Sequence, residues 1–189
     1  MTVRDITVIG HRALHQPTKK VREVTDEVRE LVADMFDTME AADGVGLAAN
    51  QVGVRLRIFV YDCPVPNEPN ARGVVINPVL ERLGTPAPLD PDEDGEGCLS
   101  VPGEYFPLAR NPRARVTGTD LDGKEVVVEG EGLLARCLQH ETDHLEGTLY
   151  VDKLIGPIKR EAREAAKDRG WADRGITKWD PSAQKAEDV

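Results

Sequence analysis

The chain has 189 residues, enough for one domain with a real core, and 40% of them are apolar. No apolar run reaches membrane-spanning length and no signal peptide is recognisable, so a membrane span is not expected. A net charge of −10 argues against sequence-independent nucleic-acid binding, and three cysteines without a recognisable spacing argue for a reducing cytoplasm over a disulfide framework.

His11 and His15 stand four apart just before Pro17, in a segment without helical pattern, which predicts a structural or surface role. Thr25 is placed to cap a first helix whose Val28, Leu31, Val32, Met35 and Met39 recur at i, i+3, i+4, i+7 and i+11 and which ends at Gly44. There GVGLAANQ (44–51) begins. Small residues at 44, 46, 48 and 49 let the backbone approach another group closely, and Gln51 offers an amide donor, although a Gly-rich turn after a helix has the same look.

Strands are predicted at Leu56–Tyr61, Gly73–Ile76, Arg113–Thr119 and Lys124–Glu129, the last two joined by Asp122-Gly123 as a hairpin. Cys63, in the apolar run RIFVYDC, reads as a buried thiol. The acidic stretch TPAPLDPDEDGEG (85–97), with Asp90, Asp92, Glu93, Asp94 and Glu96, reads as a solvated loop. Gly130 and Gly132 then break the last strand before LLARCLQHETDHLEG. In that run Leu133, Cys137, His140 and His144 make one helical row, and Leu134, Leu138, Glu141 and Leu145 a second. About half the circumference is apolar, so the helix should be buried, with Gly147 as its stop. Pro157 opens a final helix to about Arg169, and residues 170–189 read as a polar tail to a single domain spanning 1–169. Strands in runs around a buried helix predict an α+β fold of antiparallel or mixed sheets around a central helix, plus a C-terminal helix.

The pentapeptide His140-Glu-Thr-Asp-His144 carries the chemistry. On a helix its two rings stand one turn apart on one face and can share a metal ion, while Glu141 lies beside it as a general acid/base for metal-assisted amide hydrolysis. Two histidines leave a catalytic metal one protein ligand short. Glu161 and Glu164 are available downstream, but they interleave with Lys159, Arg160, Arg163 and Lys167 as a solvated, ion-paired face. Cys98, in EGCLS (96–100), is the favoured third ligand. Cys137 lies too far along the helix to converge on the same ion and reads as core or pocket wall.

GVGLAANQ, EGCLS and QHETDH, in this order, resemble the three signature motifs of the peptide deformylases, over about Val8 to Leu154. The resemblance implies removal of the formyl group from the N-terminal formyl-methionine of nascent polypeptides, releasing formate and a free N-terminal methionine. It implies that Cys98, His140 and His144 bind the metal and that Glu141 is the acid/base. Gln51, through its side chain, and Leu99, through its backbone N–H, are implied to stabilise the oxyanion, and Gly46 to contact substrate. Val45, Leu133 and Cys137 are implied to wall the methionine pocket. The implied metal is Fe²⁺, which Zn²⁺, Ni²⁺ or Co²⁺ can replace. The implied partners are N-formylmethionyl peptides and the ribosome near the nascent-chain exit, with no membrane and no sequence-specific nucleic acid. Arg136 departs from the apolar residue of some deformylases, and its stem is expected at the pocket mouth with its guanidinium in water. Two rival readings are a metallopeptidase using Glu161 or Glu164, and a deformylase-like peptide binder without turnover.

Overall fold

The computed structural model describes residues 2–171 and 177–184. In chain order its elements are β1 (Ile6–Thr7), a 3-10 turn (Arg12–His15), α1 (Asp26–Ala41), β2 (Gly46–Ala48), a second 3-10 turn (Ala49–Val52), β3 (Ile58–Val65), β4 (Glu68–Leu83), β5 (Gly95–Cys98), β6 (Val101–Pro107), β7 (Arg113–Thr119), β8 (Glu125–Glu131), α2 (Gly132–Leu145), α3 (Tyr150–Lys153), α4 (Gly156–Asp168), β9 (Lys178–Trp179) and α5 (Pro181–Gln184). One sheet has the order β2-β3-β4-β7-β8, β5 and β6 make a separate hairpin, and β1 pairs with β9. All of these pairings are antiparallel, so the architecture is α+β.

Local chemistry explains the elements the sequence announces. Gly123 takes φ 76°, its N–H reaches Asp120 O at 3.1 Å, and the Asp120 carboxylate accepts from the Asp122 and Lys124 N–H groups, closing the β7–β8 hairpin where Asp-Gly predicted it. β4 runs far beyond the predicted Gly73–Ile76. It survives a bulge between Ile76 and Val79, where Asn77 adopts φ 53° and its side-chain amide brackets the Val21 N–H and C=O at 2.9 and 2.8 Å. In α1, Val28, Leu31, Val32, Met35 and Met39 pack on Leu47, Ile58, Val60 and Ile76.

Every residue of α2 from Cys137 to Leu145 is buried. Leu134, Cys137, Leu138 and Leu145 pack on Phe59, Tyr61, Cys63, Val75, Ala114 and Val116 of the main sheet, and each fully buried leucine contributes about 1.5–3 kcal/mol. The C-terminal carbonyls are capped from a distance: Thr18 N and Oγ1 both reach Leu145 O at 2.9 Å, and Asn50 Nδ2 reaches His144 O at 2.6 Å. Gly147 ends the turn at φ 75°, with a Cβ there lying 2.7 Å from the Gln16 backbone, so only glycine fits.

Glu161 and Glu164 are exposed on α4, which buries Ala162. Part of the segment read as a polar tail docks on the body: Trp171 is buried and Lys178–Trp179 forms β9. Residues 172–176 and 185–189 of that segment lie outside the described residues.

Candidate metal centre and substrate cleft

α2 presents His140 and His144 to β5, which carries Cys98. The His144 Nε2 lies 3.1 Å from His140 Nε2 and 3.2 Å from Cys98 Sγ, and the ligand atoms of all three lie within 4.8 Å of one another. Ligands at about 2.0–2.3 Å in a tetrahedron stand roughly 3.3–3.6 Å apart, so this spacing fits one ion. Burial and the neighbouring His140 hold His144 well below the usual imidazole range, leaving it neutral as a ligand must be. Burial opposes charge on His140 as well, but the Cys98 sulfur and the Glu96 carboxylate outweigh it and push His140 up. Positive charge is thus favoured where a divalent cation would sit. A thiolate with two imidazoles suits a transition metal.

Glu141 lines the same cleft as Cys98 and His140 and is buried, with Oε2 lacking any hydrogen-bond partner among the described residues. Burial is the main reason its carboxyl is pushed up to about 7. Gly46 makes room for it: a Cβ there would collide with Glu141 Oε1 and stand 2.8 Å from Cys137 Sγ. Gln51 is held by its own turn, since its Oε1 accepts from Ala48 N at 2.8 Å. This aims Nε2 at Ser100 Oγ, 3.2 Å away, and towards Cys98 Sγ at 3.8 Å. These groups line a cleft of ≈ 450 Å³ together with Val45, Leu99, Leu133 and Cys137. Cys137 is buried and Leu133 is 45% exposed at the surface end of α2.

The acidic stretch is not wholly solvated as expected. Residues 85–93 are exposed, but Glu96 is 3% exposed, because β5 turns it inward on the same face as Cys98. Its Oε1 accepts from His140 Nδ1 at 2.7 Å, fixing the ring so that Nε2 faces Cys98 and His144. Burial alone would raise the Glu96 pKa, but Arg110 and His140 outweigh it and keep the group ionised. Arg136 is the second correction. Its guanidinium does not stay in water; Nη1 donates to Glu96 Oε2 at 2.9 Å and Leu108 O at 2.7 Å, and Nη2 to Asp94 Oδ1 at 2.8 Å. The buried Glu96, which it shares with Arg110, and the half-buried Asp94 together draw the arginine inward.

Arg110 bridges Glu96 to Asp143, donating at 2.6 and 2.5 Å, and Asp143 also meets Lys153 at 3.0 Å and Arg82 at 3.3 Å. Asp143 thus anchors α2 from inside the pentapeptide itself. Sequence reading missed Glu96, Arg110, Asp143, Asn50 and Ser100. Glu96 had a signal, because alternate residues on a strand share a face and it stands two before Cys98. Glu161 and Glu164 stay on the exposed face of α4, outside the Cys98–His140–His144 cluster.

The model of the polypeptide deformylase family matches residues 3–160. A peptide deformylase of Rhodococcus opacus is 53% identical over 186 residues, covering 96% of this chain and 94% of its own, and a peptide deformylase 2 of Corynebacterium efficiens is 52% identical over 187 residues, covering 98% and 96%. Among solved structures, the peptide deformylase of Ehrlichia chaffeensis in complex with actinonin is similar with a TM-score of 0.80 at 37% identity, covering 89% of this chain and 98% of that one. The Legionella pneumophila peptide deformylase gives a TM-score of 0.79 at 36% identity over 92% and 99% of the two chains. The chain therefore belongs to the polypeptide deformylase family, hydrolases that remove the N-terminal formyl group from nascent peptides.

Proposed function

We propose that the chain deformylates N-formylmethionyl peptides at the cleft between α2 and β5, with Cys98, His140 and His144 as metal ligands. The observation that carries this reading is the convergence of those three ligand atoms beside a buried, unpartnered Glu141 oxygen. The thiolate and two imidazoles suit Fe²⁺, with Zn²⁺, Ni²⁺ or Co²⁺ as substitutes. When bound, the metal supplies Lewis acidity and lowers the pKa of water near neutrality. Glu141 takes the proton from the attacking water and returns it to the leaving nitrogen, which frees the methionyl amine and formate. Gln51 Nε2 and the Leu99 N–H donate to the oxyanion that develops on the formyl oxygen, and Gln51 is preset by its bond to Ala48 N before substrate arrives. Gly46 lets the substrate backbone pass close to Glu141, while Val45, Leu133 and Cys137 wall the apolar slot for an unbranched methionine side chain.

Among the described residues, no helix is long and apolar enough to cross a membrane. We place the protein in the cytoplasm, working on chains as they leave the ribosome, as one catalytic domain. Formate release from formyl-Met-Ala-Ser, measured anaerobically with one iron per chain, tests the reading. Turnover should be lost in air as the iron oxidises and persist with nickel; absence of formate release from the loaded, anaerobic protein would sink it.

A further inference from the structure

β9 lies against β1, with Trp179 opposite Ile6 and Lys178 opposite Thr7, and Val8 N extends the pairing to Thr177 O at 2.9 Å. β1 in turn touches the site on two sides: Thr7 Oγ1 donates to Gln51 O at 3.0 Å, and Ile9 N donates to Ser100 O at 2.9 Å. The pairing delivers the half-buried Trp179 ring to the wall of the cleft, where its indole Nε1 donates to Leu99 O at 2.9 Å. That carbonyl belongs to the Leu99–Ser100 peptide, and the N–H of the same planar unit points to Cys98 Sγ at 3.4 Å. Ser100 Oγ also receives the Gln51 amide at 3.2 Å. One peptide group therefore has the indole on its carbonyl and the thiol on its N–H, and the serine that carries this N–H receives the Gln51 amide on its hydroxyl. The Leu99 side chain is pinned independently against Gly44, where a Cβ would stand 2.8 Å from Leu99 Cδ1.

We propose that Trp179 is a positioning residue for the reaction: its N–H sets the rotation of the Leu99–Ser100 peptide and so holds the Ser100 N–H on the Cys98 sulfur and the Ser100 hydroxyl beneath the Gln51 amide. Donation to the carbonyl oxygen also polarises the peptide and strengthens the hydrogen bond its N–H makes to sulfur. A hydrogen bond to a ligand sulfur tunes how much charge the thiolate gives the metal. The inference rests on Cys98 and Gln51 acting as proposed above. It is tested on cobalt-loaded protein by comparing the parent with Trp179→Phe, which keeps a ring but removes the donor. Expected are a shifted thiolate-to-cobalt charge-transfer band and a kcat about 2- to 10-fold lower, the weight of one neutral hydrogen bond, with KM for formyl-Met-Ala-Ser within about 2-fold. An unchanged band and kcat overturn the inference alone, whereas absence of any such band in the parent overturns the Cys98 assignment and the inference with it. Hydrogen exchange of the Trp179 indole N–H in the parent gives a readout independent of how the variant folds. Protection supports the proposal, and exchange at the rate of an exposed indole overturns it.

Discussion

His11 and His15 share the i, i+4 spacing of His140 and His144, but the backbone beneath them is different. Arg12–His15 is a 3-10 turn, in which residues three apart eclipse, so a spacing of four brings no two rings together. Their nitrogens serve the chain: His11 Nδ1 accepts from Ala13 N at 3.2 Å, and the His15 ring bonds Ile9 O. In α2 the same spacing brings the rings edge to face with centroids 4.8 Å apart, and Glu96 occupies only the far nitrogen of His140. A histidine pair is fit to hold a metal when an α-helical turn aligns it, a second element brings a third donor, and a buried acid orients one ring. Spacing alone meets none of these conditions.

The widest separation between the two pairs comes from deleting one member of each. His144→Ala should reduce bound metal from one per chain to a trace and abolish formate release, whereas His11→Ala should keep full metal and cost only about 0.5–2 kcal/mol of stability, the weight of the cap its Nδ1 makes to Ala13 N. Metal retained in the first variant, or lost in the second, would break the comparison. Next in size is Glu141→Ala, which should hold one metal per chain yet turn over at least about 100-fold more slowly, because proton transfer and ligation are separate tasks. An empty site in that variant would move Glu141 among the ligands.

Substrate choice sharpens the apolar side of the centre. Losing most of the methionine side chain from a hydrophobic slot costs about 1–3 kcal/mol, so kcat/KM for formyl-Met-Ala-Ser should exceed that for formyl-Ala-Ala-Ser by roughly 10- to 200-fold. Equal values would dismiss Val45, Leu133 and Cys137 as its walls. The smallest of these effects belongs to the supporting acid. Glu96→Gln should weaken metal affinity by about 10- to 100-fold while His140 and His144 remain, since it loosens the ring without removing a donor. Competition with a chelator measures it, and an unchanged affinity would mean that helix packing alone fixes His140.

What the sequence disclosed is local. The α2 row, the Asp-Gly hairpin and the α1 stripe are legible because periods of 3.6 or 2 residues and turn chemistry act over a few positions. Cys98 was legible because the two histidines demanded a third donor. Glu96 was not, since five acids in seven residues look like a solvated loop, and its partners Arg110, Arg136 and His140 lie 14, 40 and 44 positions away. Arg136 went astray for the same reason. Two-residue strands such as β1 and β9 have no periodicity at all, and their pairing exists only in three dimensions.

That last pairing has a kinetic consequence. Ile6 of β1 is made more than 170 residues before Trp179 and finds its register partner only when that residue has been added. Contacts of such sequence separation form late, because the loop between them must first be closed by structure. A newly made copy can therefore bring Gln51, Cys98 and α2 together while the Leu99–Ser100 peptide still lacks the Trp179 hydrogen bond. An enzyme whose substrates are unfinished chains would itself pass through an interval, set by translation speed, in which its centre is built but not yet braced.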